Sequence, residues 1–324
     1  MDLDFKNTER HCSDHNEQTQ QIQEVSVTRP SNIPVIDLMM ELPTGEAGMG
    51  MADARALMRD KSSENFTHHP AQYLFKDASD RMGQDIDPDA VVEMMDQFGV
   101  QAALIHVNPM NPAHALALFE KYPRRFLGEV GVDPNTGMAG VKRLEETVKL
   151  HPNIIAAAGA ACLLNPQVPI DDRRWYPIYA KCCELDIPIN MLVGVPGPRV
   201  PYKCQYPGLL DEVAWFFPEL KVVMRHGGDP WTDLCVKLLL KWPNLYYSTS
   251  AWAPKHYAKN IIEFANKRGK EKVLYAGYYP ALSYERIFRE LDNVPLTDEA
   301  WSYFLNKNAH AVYKLEGLLG RPGE

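Results

Sequence analysis

His226 stands where the apolar run LKVVMR breaks into Gly227 and Gly228, and Asp229 follows two residues later. Other groups able to do chemistry hold equivalent places after apolar runs. Glu41 follows PVIDLMM, His106 and Asn108 end a second run, and Glu129 and Asp133 end a third. Ser248 and Ser250 close a later run, and Tyr278 closes the last. His68 and His69 lie in the long segment after the first run. A mixed shell of imidazole and carboxylate suits iron, zinc or manganese better than magnesium or calcium. Glu41, His68, His69, His106, Glu129 and His226 together offer enough donors for two metals. Asp229 and Tyr278 are the candidate catalytic groups beside them. His69 precedes Pro70, which favours an extended backbone, and neighbours on an extended strand point opposite ways. The plainer reading of each residue is a hydrogen-bonded polar group, or a solvated one.

A second constellation is GVPGPRVPYK, residues 194–203, whose prolines and glycines make it a stiff loop. Arg199 and Lys203 bring two cations there, suited to phosphate or carboxylate. A solvated loop pairing with nearby acids is the alternative.

These residues need a frame to bring them together. Short apolar runs at 34–39, 102–107, 126–131, 154–158, 187–193, 220–225, 244–249 and 272–276 alternate with helical patterns. Repeated strand–helix units of this number predict an α/β fold, a (β/α)8 TIM barrel spanning 31–324 as one catalytic domain. An open doubly wound sheet is the competitor, but no Gly-rich dinucleotide loop follows the first strand. In a barrel the strand ends named above share one mouth. Nearly fifty residues separate the first strand from the helix expected near 88. A connection of that length is expected to be a lid or to carry helices of its own. Residues 1–30 are polar and Gln-rich, with no periodicity, and predict a disordered tail in which His11 and His15 are solvated.

The net charge of −8 and the absence of a basic tract argue against nucleic acid as a partner. No apolar run approaches the roughly 20 residues of a spanning helix, and no signal pattern opens the chain, so a cytoplasmic protein without a membrane partner is expected. None of the 6 cysteines forms CxxC, and buried free thiols are expected. A homo-oligomer is left open.

The segments DDRRWYPIYAKC, GVPGPRVP, WFFPELKVVMRHGGDPW, LYYSTSAWAPKHY and VLYAGYYPALSYERIF resemble the metal-dependent amidohydrolases of the decarboxylase-like branch, over nearly all of residues 33–316. In that family the residue matching His226 is a metal ligand. Met39 and Glu41 stand where the first strand carries two histidines, Leu192 where a histidine is common, and Tyr278 where an aspartate is usual. Within the branch the chain is similar to the barrel-fold nonheme diiron monooxygenases of platensimycin and platencin biosynthesis. That resemblance implies two iron ions, molecular oxygen, an external reductant with its electron donor, and a diterpenoid substrate carried as a coenzyme A thioester (an acyl-CoA). Met39, Met40, Leu192, Tyr278 and Tyr279 would then form an apolar wall, and Arg199 and Lys203 would hold the carrier's phosphates. The competing readings are a metal-dependent hydrolase or decarboxylase, and a metal-free barrel that only binds.

Overall fold

The computed structural model describes residues 29–42 and 51–323. Its sheet has eight parallel strands in sequence order: β1 Val35–Met40, β2 Val100–Val107, β3 Phe126–Gly131, β4 Ile154–Gly159, β5 Ile189–Leu192, β6 Val222–Arg225, β7 Leu245–Ser248 and β8 Val273–Leu274. A parallel bridge between Met40 and Tyr279 brings the last strand back to the first. This is the (β/α)8 barrel expected from the repeated units, not an open sheet. The helices among the described residues are α1 Met51–Leu57, α2 Ala78–Met82, α3 Pro88–Gln97, α4 Ala113–Lys121, α5 Met138–Leu150, α6 Tyr176–Leu185, α7 Leu210–Phe216, α8 Thr232–Lys241, α9 Lys259–Ala265, α10 Tyr284–Leu291, α11 Asp298–Ser302, α12 Asn308–Tyr313 and α13 Glu316–Leu319. Nearly all of the expected polar tail, His11 and His15 included, lies outside the described residues.

Alternation along each strand separates two apolar layers. Ala102, Leu104, Leu127, Val223 and Leu274 fill the barrel interior, and Ala309, Val312 and Tyr313 of α12 pack with them. Ala103, Ile105, Val130, Met191 and Met224 face the helices. β8 is shorter than the expected run 272–276. Its backbone leaves the ladder when Tyr275 N–H donates to Phe304 O at 2.9 Å and Gly277 N–H to Asp37 Oδ1 at 2.7 Å.

Asp37 is fully buried and also accepts from Met39 N–H and the Tyr284 hydroxyl. It fastens β1 to the end of β8. A Cβ on residue 277 would lie 2.5 Å from Asp37 Oδ2. Gly277→Ala is therefore expected to cost about 1–3 kcal/mol of stability, as overpacking does. Denaturant unfolding checks this, and an unchanged midpoint would deny the clamp.

No helix among the described residues is long and apolar enough to cross a membrane. Cys162, Cys182, Cys204 and Cys235 are buried free thiols and Cys183 is partly buried.

Candidate active site at the barrel mouth

The inward parity of each strand decides what reaches the mouth. His106 on β2, Glu129 on β3, Asn190 and Leu192 on β5, Arg225 on β6 and Tyr278 beyond β8 occupy positions of that parity. A register irregularity between Asp37 and Met40 turns Met39 inward beside Leu38. Met40 packs instead in the outer layer, and Tyr279 packs against that layer with its ring 5.4 Å from Tyr284. The wall expected from five residues thus loses Met40 and Tyr279, because each neighbours an inward residue and pleating sends it the other way.

Below the mouth lies a buried polar chain. Arg225 Nη1 donates to Glu129 Oε1 at 2.5 Å, and its Nη2 donates to Leu38 O at 2.7 Å. Asn190 Nδ2 donates to Glu129 Oε2 at 2.6 Å, and the Tyr313 hydroxyl donates to Asn190 Oδ1 at 2.6 Å. Both oxygens of Glu129 are therefore engaged within the protein. His106 Nδ1 is 4.0 Å from Glu129 Oε1, and its ring lies over Gly131, where a Cβ would be 2.8 Å away.

Above the floor, Tyr278 is the centre of a second cluster. His69 Nε2 is 3.1 Å from the Tyr278 hydroxyl, and Ala71 N–H donates to His69 Nδ1 at 3.1 Å. With Nδ1 accepting, the neutral imidazole carries its proton on Nε2 and donates to Tyr278. The Tyr278 hydroxyl then keeps its own proton to give to another acceptor. The ring of His226 stands 5.8 Å from that of Tyr278, edge to face. Ser250 Oγ is 3.1 Å from His226 N and 3.2 Å from His226 Nδ1. Burial, then the charge of Arg225, lowers the His226 pKa to about 3, and burial lowers His69 to about 4. Burial pushes the Tyr278 phenol well up, and the charge of Glu41 adds to this. At neutral pH the cluster is two neutral imidazoles and a neutral phenol.

The long segment after β1 covers this cluster. Phe75 lies 5.3 Å from both the His69 and Tyr278 rings. The Tyr73 hydroxyl donates to Gly197 O, and Arg81 donates to Pro280 O and Ala281 O. Arg199 is committed here: it pairs with Asp60 at 2.8 Å and lies over the rings of Phe66 and Tyr73. Arg199→Ala is expected to loosen the cover locally. Faster amide exchange over residues 60–75 with little change in global unfolding is the expected result, and uniform protection would contradict it.

The six expected metal donors do not form one gathering. His69 and His226 lie against Tyr278, and the charge of Glu41 acts on its phenol. Glu129 belongs to the floor, with His106 beside it. His68 points away to Gly83, where a Cβ would be 2.7 Å from its ring. Among the described residues no three His, Cys, Asp or Glu side chains form a group able to hold a metal. The donors as they stand do not fit a two-metal centre: the oxygens of Glu129 and both ring nitrogens of His69 already have partners. Asp229 is exposed and lines an outer cleft with Thr232, Thr249, Trp252 and His256. Lys203 is exposed on the loop after β5, and Leu192 is half-buried beside Arg225.

Sequence reasoning passed over Arg225, Asn190 and Tyr313. Two of them carried a readable signal: Asn190 and Arg225 are polar residues inside apolar runs, at the inward parity of their strands.

The shifted groups make stability depend on pH. The unfolded histidines take up protons near pH 6.5, whereas folded His69 and His226 resist until about 4 and 3. The unfolded chain therefore binds more protons between about pH 6.5 and 4, and stability falls as pH drops through that window. Asp37, raised to about 6 by burial, opposes this with one proton held by the folded state. Two histidines outweigh one aspartate, so the net expectation is weakening on acidification. The ring signals of His69 and His226 should stay constant from pH 8 to about 5 in NMR spectra. A midpoint near 6.5 for either would contradict the burial.

The Amidohydrolase family profile matches residues 43–315. An uncharacterised TIM-barrel protein from Bordetella bronchiseptica superposes with a TM-score of 0.67 at 21% identity, covering 87% of this chain and 99% of that one. The 5-carboxyvanillate decarboxylase of Sphingomonas paucimobilis gives 0.60 at 15% identity, covering 87% and 99%. A dihydroxybenzoic acid decarboxylase from a Polaromonas species, solved with manganese and 2-nitroresorcinol, gives 0.59 at 16% identity, covering 88% and 98%. At these identities the likeness shows the shared barrel fold. The narrower likeness to diiron monooxygenases has no counterpart among these three. No curated protein matches the chain. The extent of the profile match, over a barrel with His226 at the end of its sixth strand, shows that the chain belongs to the amidohydrolase family.

Proposed function

We propose that this chain is an amidohydrolase-family enzyme of the decarboxylase or hydratase kind, acting beside the carbonyl or carboxylate of a small substrate. The observation that carries the reading is the neutral pair at the mouth, His226 and Tyr278, with ring centroids 5.8 Å apart beneath the covering segment. His69 spends its Nε2 proton on Tyr278, so the phenol is turned to donate. Such a donor stabilises the negative charge that gathers on a substrate oxygen when a neighbouring bond breaks. In decarboxylation the C–CO2 bond breaks, its electron pair moves toward that oxygen, and the carbon later regains a proton.

The surroundings favour loss of charge as neutral CO2. Met39 and Phe75 are apolar, and the cations Arg225 and Arg199 are already paired with Glu129 and Asp60. A carboxylate held there is poorly solvated relative to CO2. The test is a panel of hydroxylated aromatic acids and unsaturated dicarboxylic acids, followed for CO2 release and for deuterium uptake from heavy water. Turnover that falls about a hundredfold or more in Tyr278→Phe supports the reading. Turnover undiminished by that change removes it.

One observation favours a second reading. The His69 and His226 rings each lie 5.8 Å from that of Tyr278, and the charge of Glu41 acts on the same phenol. A diiron monooxygenase acting on an apolar acyl-CoA, supplied with oxygen and an external reductant, would build on that set. It would require His69 to leave Tyr278 and Glu129 to leave Arg225. Two irons per purified chain, with substrate-dependent oxygen uptake, would replace the acid–base reading. Iron at background level would retire the second one.

A further inference from the structure

We propose that Ser250 is the positioning residue that fixes His226 as the Nε2–H tautomer, making it a second hydrogen-bond donor to the substrate oxygen. This deepens the reading above and rests on it for the identity of the ligand, a carbonyl oxygen acquiring negative charge.

The loop after β7 holds His226 at three points. Ser250 Oγ accepts the His226 backbone N–H at 3.1 Å and lies 3.2 Å from Nδ1. Trp252 Nε1 donates to His226 O at 2.9 Å. The indole can come that close because residue 227 is glycine: a Cβ there would be 2.7 Å from Trp252 Nε1. His226 has φ 65° and Ala251 has φ 67°, a left-handed backbone that side-chain-bearing residues seldom adopt. Strain of this kind persists only where its surroundings enforce it. Here it falls on His226 itself and on Ala251, the residue between the Ser250 and Trp252 that hold it, which points to a built arrangement.

The proton count gives the tautomer. Ser250 is fully buried, and its hydroxyl oxygen already accepts the His226 N–H. The hydroxyl proton still needs an acceptor, and Nδ1 is within reach. Nδ1 therefore accepts, and the proton of the neutral ring sits on Nε2. Nε2 has no hydrogen-bond partner among the described residues. His226 and Tyr278 would then present an N–H and an O–H to the same space. Two neutral donors match an oxygen with lone pairs and growing negative charge. They do not match a metal ion, which needs the unprotonated nitrogen.

The experiment uses full-length protein labelled with 15N-histidine. The expected spectrum of the unaltered protein has a pyridine-type Nδ1 and a pyrrole-type Nε2 for His226. Ser250→Ala should shift the tautomer ratio by about five- to tenfold, the worth of one hydrogen bond. Ser250→Thr, which keeps the hydroxyl, should restore it. A pyridine-type Nε2 in the unaltered protein overturns the proposal, and so does an unchanged ratio in Ser250→Ala. If Ser250→Ala fails to fold, Ser250→Cys supplies the comparison with a weaker donor. None of these readouts needs turnover, so a missing enzymatic activity would fail separately.

Discussion

Replacing Tyr278 by phenylalanine is expected to lower kcat by about a hundred- to a thousand-fold, with KM changed far less. Removing one donor to a developing oxyanion has an effect of that size. The phenylalanine ring keeps the packing against Phe75 and His226, so the change isolates the hydroxyl. His69 would lose the acceptor for its Nε2 proton. His69→Ala should give a smaller loss, because the phenol stays and only its orientation is released. A double variant no worse than Tyr278→Phe alone would show that the two act as one unit. Equal kcat in Tyr278→Phe and the unaltered enzyme would exclude the phenol from the chemistry.

The second large effect concerns the floor. Arg225 is 3% exposed and Glu129 2%, and the pair has no solvent to fall back on. Arg225→Met is expected to cost about 3–5 kcal/mol, because it leaves a buried carboxylate without its cation. Asn190 and Tyr313 remain bonded to one another, but Leu38 O loses its donor. Arg225→Met combined with Glu129→Leu should recover much of the loss, since an apolar pair has no charge to leave unpaired. Denaturant midpoints of the single and double variants decide this. A cost below about 1 kcal/mol for Arg225→Met would mean that water reaches the pair. Any change in activity in the stable double variant would then report on the floor as a support for Leu38, Met39 and His226.

The amino-acid order alone determined the barrel. Eight apolar runs alternating with helical patterns admit few other solutions, because each run must bury both faces. It also marked His226, at the break between an apolar run and two glycines. The opposed directions of His68 and His69 were legible too, from the proline after them and the pleat of an extended chain.

Only the tertiary structure decided which candidates meet. Glu129 reads as a metal donor until Arg225 and Asn190, distant in sequence, close on its two oxygens. Arg199 reads as a free cation until Asp60, Phe66 and Tyr73 arrive from the covering segment. Met40 and Tyr279 read as lining residues until the register near Met39 sends Met40 outward and the pleat beyond β8 does the same to Tyr279. In each case the deciding contact depends on strand register and the path of a long loop. Those are set by the packing of the whole barrel, and no local run of residues encodes them. The proton positions on His69 and His226 belong to the same level. They follow from Ala71, unremarkable in sequence, and from Ser250, marked only as a hydroxyl at the end of an apolar run; the fold places both within 3.2 Å of the two rings.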